Sequence, residues 1–239
     1  LAAYIYSESD PMDIQIAPEG LAFALREGTR ALHDRAERSG MVADMLKGRA
    51  TRSGYGLLLR NLLPAYQALE LALERRRTTP GVGRLARREL YRTAALEADL
   101  LALAGADWAN ALPLLPAAEL YAHRVAEAAA GTGDGLAGHA YVRYLGDLSG
   151  GQILRRLLAR SLGLGEAALN FYAFPAVADI AACKRDYIQM LEALGAVLDK
   201  SCVVASAVGA FAINIEISEA VHRMVQTPTA ASVGAGLSP

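Results

Sequence analysis

Apolar positions recur every three to four residues along most of this chain, and no stretch of useful length alternates apolar with polar. From Leu21 the stripe runs through Leu25, Leu32 and Ala36, with Arg26, Arg30, Asp34, Arg35 and Glu37 elsewhere on the wheel. Ser39 and Gly40 close this predicted helix, and Met41 to Leu46 begins a short one ended by Lys47 and Gly48. Thr51 to Ser53 offers N-caps for a long helix through Leu57, Leu62, Tyr66, Leu69 and Leu73, in which Pro64 predicts a kink or a boundary near Leu63. Further helices are predicted over Leu85–Leu103, Ala117–Ala130, Leu136–Leu162, Ala176–Leu198 and Ser201–Met224. A loop from Gly105 to Pro116 and a compact aromatic loop from Leu169 to Pro175 lie between them. The prediction is an all-α fold, a single-domain helical bundle over residues 21–225. Residues 1–20 read as a poorly ordered lead-in, with Met12 a candidate natural start, and 226–239 as a flexible tail.

One stretch breaks the helical rule. Between Tyr141 and Gln152 three glycines, Gly146, Gly150 and Gly151, fall within six residues of a predicted helix. Each costs about 1 kcal/mol relative to alanine. Gly146 and Gly150 are four apart and share a face, leaving a strip where a flat partner can approach the backbone. Arg143 and Asp147 put one guanidinium and one carboxylate beside it. The alternative is close packing of small residues against a second helix.

Composition narrows the setting. The chain has 239 residues, 53% of them hydrophobic, which suffices for a sizeable core. Its net charge of −1 gives no support to nucleic-acid binding. Cys183 and Cys202 are too few for a disulfide scaffold and are expected to be free thiols in a reducing cytoplasm. The apolar run from Val203 to Ile215 is short for a membrane span, and the acidic start (Glu8, Asp10, Asp13) does not resemble a secretory signal. No membrane anchor is expected.

Chemistry follows by elimination. No nucleophile elbow surrounds Ser149, and Gly146 to Gly151 follow no strand, so neither a phosphate loop nor a dinucleotide fingerprint is present. A di-iron bundle needs two Glu-x-x-His pairs; this chain offers Glu219 with His222 alone, expected at the surface. Arg26, Arg30 and His33 stand at i, i+4 and i+7 on one face. An imidazole with two cations, opposed to a glycine-thinned helix, suits haem, which has an iron and two carboxylates.

The segment Tyr141 to Gln152 closely resembles the signature of the haem oxygenases. Leu25 to Glu37, Lys47-Gly48 with Thr51-Arg52, Tyr66 to Glu70, Ala94 to Leu100, Phe171 to Pro175 and Ala210 to Asn214 also match, in order and spacing. The resemblance covers about Leu21 to Met224. It implies haem held between a proximal and a distal helix, and its opening with O2 and external electrons to biliverdin, CO and ferrous iron. His33 matches the iron ligand and Glu37 its accompanying carboxylate. Gly146 and Gly150 match the distal glycines. Asp147 matches the aspartate that organises water beside O2, with Arg143, Tyr66 and Asn214 in its network. Arg26, Arg30, Tyr141 and Lys184 match propionate contacts. Ile188 departs from an arginine common there, which bears on how haem is rotated, and Ser218 departs from a common aromatic. The chain has no flavin or nicotinamide site, so a ferredoxin, a flavodoxin or an NADPH-dependent reductase is implied as donor, and a cytoplasmic monomer is expected.

Overall fold

The computed structural model of the chain describes residues 19–227. Apart from a few residues at each edge, the expected N-terminal lead-in and C-terminal tail lie outside the described residues. No strand occurs among the described residues.

The helices, in chain order, are α1 (Leu21–Arg38), α2 (Gly40–Leu46), α3 (Arg52–Arg75), α4 (Thr93–Ala104), α5 (Trp108–Ala111), α6 (Pro116–Ala128), α7 (Gly135–Ala140), α8 (Gly146–Leu162), α9 (Ile180–Leu194) and α10 (Lys200–Gln226). Caps set several of their starts. Thr51 Oγ1 accepts the amide of Gly54, Asp179 that of Ala182, and Asp199 those of Ser201 and Cys202, which satisfies donors that a helix start leaves unpaired.

α10 is the central element. Its buried side chains, among them Val203, Ala207, Phe211, Ile213 and Ile217, pack against α1, α2, α3, α6 and α7. Fully burying a side chain such as Val203 or Ile217 contributes roughly 1.5–3 kcal/mol. By length and composition α10 would also suffice to cross a membrane; here those side chains form the bundle core. α7 reaches α10 through Gly138, where a Cβ would stand 2.3 Å from the carbonyl oxygen of Val203. The two backbones therefore touch. On the far side α3 packs against α4 and α6.

The observed elements depart from the predicted ones in several places. No helix boundary falls near Leu63: α3 continues through Pro64, because packing along the whole helix outweighs the one hydrogen bond that Pro64 cannot donate. α5 lies within the stretch predicted as the loop from Gly105 to Pro116. The helix predicted from Leu85 begins only at Thr93, after two 3₁₀ turns at Val82–Leu85 and Arg88–Leu90. Buried Glu70 on α3 accepts the amides of Arg92 and Thr93, so a side chain distant in sequence fixes that start. α9 spans Ile180–Leu194, shorter than Ala176–Leu198. The helix expected over Leu136–Leu162 is interrupted by a π turn, Tyr141–Leu145, between α7 and α8.

Candidate active site

α1, α2, α3, α8 and α10, with the π turn and the aromatic loop, line one cleft, concave and apolar with a few convergent polar groups, as small-molecule and cofactor sites are. Its walls are mostly apolar, with Leu46, Leu58, Leu62, Leu154 and Phe211 prominent. The polar groups enter from three sides. His33 and Glu37 come from α1, Arg143 and Asp147 from the π turn and α8, and Asn214 from α10.

On the α1 side, His33 and Glu37 are one turn apart, with Nδ1 3.8 Å from Oε1. That is beyond direct hydrogen-bond reach and suits a bridging water. The imidazole meets Phe211 edge to face, with ring centroids 5.9 Å apart. Burial lowers the pKa of His33 and outweighs the opposing pull of Glu37 and Asp34, so the ring is held neutral, the form that ligates metals.

On the α8 side, Gly146 and Gly150 both line the cleft. A Cβ on Gly146 would meet nothing within 4 Å. The alternative of close helix packing therefore does not apply there: the missing side chain opens space. Gly151 behaves differently, since a Cβ on it would lie 2.7 Å from the ring of Tyr172. The aromatic loop is seated against α8 at that point. Gln152 Nε2 donates to the Tyr172 carbonyl, and Asp99 of α4 accepts the amides of Asn170 and Phe171.

Asp147 is the carboxylate at the centre of the α8 wall. Tyr66, wholly buried on α3, donates its hydroxyl to Oδ2 at 2.5 Å. Burial pushes the Asp147 pKa up to about 6, against the pull of Arg143, Tyr66 and Arg92. Arg143 donates to Asn214 Oδ1 at 3.0 Å and lies near the rings of Tyr66 and Tyr121. Burial disfavours the charge of Arg143, but Tyr66, Tyr121 and Asp147 outweigh it and keep the guanidinium protonated.

The sequence candidates thus divide. His33, Glu37, Arg143, Gly146, Asp147, Gly150 and Asn214 line the cleft, and Tyr66 stands directly behind Asp147. Arg26, Arg30, Tyr141 and Lys184 are not among its lining residues. Arg30 is exposed, 3.7 Å from Glu27, while Tyr141 is buried in the π turn. Ile188 is buried at 8% exposure. His222, expected at the surface, is half-buried and held by Asp44.

Sequence reasoning missed three aromatic residues as site members: Phe211 against His33, Tyr121 beside Arg143, and Tyr172 against Gly151. An aromatic in a helix stripe or a compact loop reads as ordinary core, so only the fold could single these out.

The Heme oxygenase family model matches residues 19–220. Heme oxygenase 1 of Homo sapiens is 35% identical over 218 residues, covering 89% of this chain and 75% of its own. Heme oxygenase 1 of Nostoc is 36% identical over 201 residues, 82% of this chain and 84% of its own. The crystal structure of heme oxygenase-1 from the cyanobacterium Synechocystis, in complex with heme, superposes with a TM-score of 0.81 at 33% identity, covering 86% of this chain and 94% of that one. With all-helical architecture, cleft and sequence in agreement, the chain belongs to the heme oxygenase family.

Proposed function

We propose that the cleft between α1 and α8 holds haem, and that this oxidoreductase opens the ring with O2 and externally supplied electrons, giving biliverdin, CO and ferrous iron. The observation that carries the reading is a neutral imidazole on one wall and a side-chain-free strip flanked by Asp147 on another, in one apolar cleft. These residues fit a flat, metal-bearing ligand. His33 supplies a nitrogen donor, and Gly146 leaves room for a planar face.

When bound, haem supplies the iron that takes up O2 and the ring carbon that is oxidised. His33 would hold the iron through Nε2, and Glu37, one turn along α1, would orient the imidazole by accepting from Nδ1 through a water. Gly146 and Gly150, which line the cleft from α8, would let a planar ligand lie close to the backbone there. Asp147 holds a water at Oδ1, while Tyr66 occupies Oδ2 and fixes the carboxylate plane. With its pKa near 6, Asp147 can take up and return a proton through that water near neutral pH. Arg143, anchored by Asn214, places a fixed positive charge beside it. Leu58, Leu62 and Phe211 add apolar wall to the cleft.

Arg26, Arg30, Tyr141 and Lys184, which do not line the cleft itself, are assigned to the propionates by the family resemblance. Opening at the α-meso carbon is the expected outcome, and apolar Ile188 makes Lys184 the main anchor on α9. The cations Arg26, Arg30 and Lys184 suit an acidic ferredoxin, a flavodoxin or an NADPH-dependent reductase as donor, with the chain acting as a cytoplasmic monomer.

The test is to load the protein with haem, add a competent ferredoxin or flavodoxin reductase system and O2, and identify the product by chromatography. A biliverdin isomer supports the reading. Haem that only autoxidises refutes it.

A further inference from the structure

α10 carries a row of polar residues that the chemistry above does not use. Ser218, Glu219 and His222 stand near its C-terminal end, and all three reach across to the corner where α1 turns into α2. The corner is tight: Gly40 sits at φ +60°, and a Cβ there would be 2.5 Å from the backbone of Ser218 and 2.6 Å from the amide of Glu219. Only glycine permits so close an approach in that conformation.

The contacts run in order along α10. Glu219 Oε1 accepts from Arg35 Nη2 on α1 at 3.2 Å. The Ser218 hydroxyl accepts the amide of Val42 at 3.1 Å and donates to the Ser39 carbonyl at 3.4 Å. His222 Nδ1 meets Asp44 Oδ2 on α2, and Asp44 Oδ1 accepts from Arg49 Nη2 at 3.0 Å. Ser39, the N-cap residue of α2, makes no side-chain cap of its own. Ser218 therefore supplies the cap from 176 residues away. It is 1% exposed, yet it lines the cleft.

What this corner controls follows from what lies on it. Ala36 and Glu37 at the end of α1, and Val42 and Leu46 on α2, all line the cleft. α2 has only seven residues and one turn's worth of internal bonds, too short to hold its position alone. Its place relative to His33 is set by what fastens it, and most of the polar fastening comes from α10. The Glu-x-x-His pair, which resembled half of a metal site in the sequence, acts here as a fastening.

We propose that Ser218, Glu219 and His222 form a clamp that fixes the α2 wall of the cleft relative to His33, with Ser218 as the positioning residue that sets how tightly the flat ligand is gripped. The last clause rests on the haem reading; the clamp itself does not. Ser218 also keeps the cleft clear at this point. Its hydroxyl is committed to the corner, so no side chain larger than one methylene and one oxygen enters the ligand's space.

The experiment compares wild type with Ser218→Ala, Ser218→Thr and His222→Gln. Amide hydrogen exchange over residues 40–46 is read without ligand, and haem affinity is then read by absorbance titration, with KM and kcat for the loaded protein. Ser218→Ala should speed exchange at the Val42 amide about fivefold, as expected for loss of one capping bond. It should also weaken haem binding and raise KM while leaving kcat near wild type. Ser218→Thr, which keeps the hydroxyl, should restore slow exchange. His222→Gln should loosen residues 44–46 more than Val42.

Unchanged exchange in Ser218→Ala overturns the clamp. Faster exchange with unchanged haem affinity and KM overturns the positioning role and leaves only a helix cap. Wild-type protein that does not bind haem at all sinks the haem reading instead, and the ligand-free exchange data still decide the clamp.

Discussion

Tyr66 on α3 and Asp147 on α8, 81 residues apart, share a buried hydrogen bond of 2.5 Å. A bond this short between a phenol and a carboxylate is charge-assisted. It couples α3 to the glycine-rich wall of the cleft, so each residue bears on the other's protonation.

Removing that phenol tests the coupling. Tyr66→Phe leaves Oδ2 of a buried carboxylate without its donor, which costs about 1–3 kcal/mol. Urea unfolding at pH 7.5 should show the loss. The Asp147 pKa should rise beyond about 6, seen as an alkaline shift in the pH profile of bilin formation.

Asp147 itself should give the chain an unusual pH dependence. Its folded pKa is raised from 3.8 to about 6, so between those values the unfolded state ionises while the folded state keeps its proton. Stability therefore falls as pH rises through that window, by about 3 kcal/mol in all. Asp147→Asn removes this penalty. Its melting temperature at pH 7.5 should exceed that of wild type, while bilin formation falls sharply.

Two neighbouring glycines should respond in opposite directions. Gly146→Ala meets open space and gains helix propensity of up to about 1 kcal/mol. It should stabilise the ligand-free protein and weaken haem binding. Gly151→Ala runs into Tyr172 and should destabilise by about 1–3 kcal/mol. Thermal melts of the two ligand-free variants separate them.

At the α1–α2 corner the sign reverses. Burial opposes ionisation of Asp44, but Arg49 and His222 outweigh it and hold its pKa below the ordinary value. A depressed carboxylate contributes stability that is present above the unfolded pKa and lost as pH falls through the folded one. Acid unfolding of wild type should therefore steepen below about pH 4, and Asp44→Asn should flatten that limb. Equal acid limbs would mean that the pair contributes nothing.

Much of this was legible in the sequence because helix period and glycine placement are local signals. The stripe from Leu21 to Ala36 gives α1, and three glycines in six residues mark the wall that faces the ligand. What escaped was set by partners distant in the chain. The start of α4 depends on Glu70, twenty-two residues from Arg92, and that of α2 on Ser218. Neither pairing leaves a local pattern. Tyr66 and Asp147 were placed in one network only by family resemblance, since nothing in their own segments joins them.

The π turn at Tyr141–Leu145 acts as an inserted residue in an otherwise α-helical ladder. One residue corresponds to about 100° of rotation, so α8 is turned by that angle relative to the face α7 presents to α10. A chain shortened by one residue within this turn could close a regular helix with better hydrogen bonds. It would also swing Asp147 and Gly150 away from the cleft. The alignment of α7 with α8 is thus a matter of chain length as much as of residue identity, and a single deletion there would leave a helix that folds and a cleft that has lost its carboxylate.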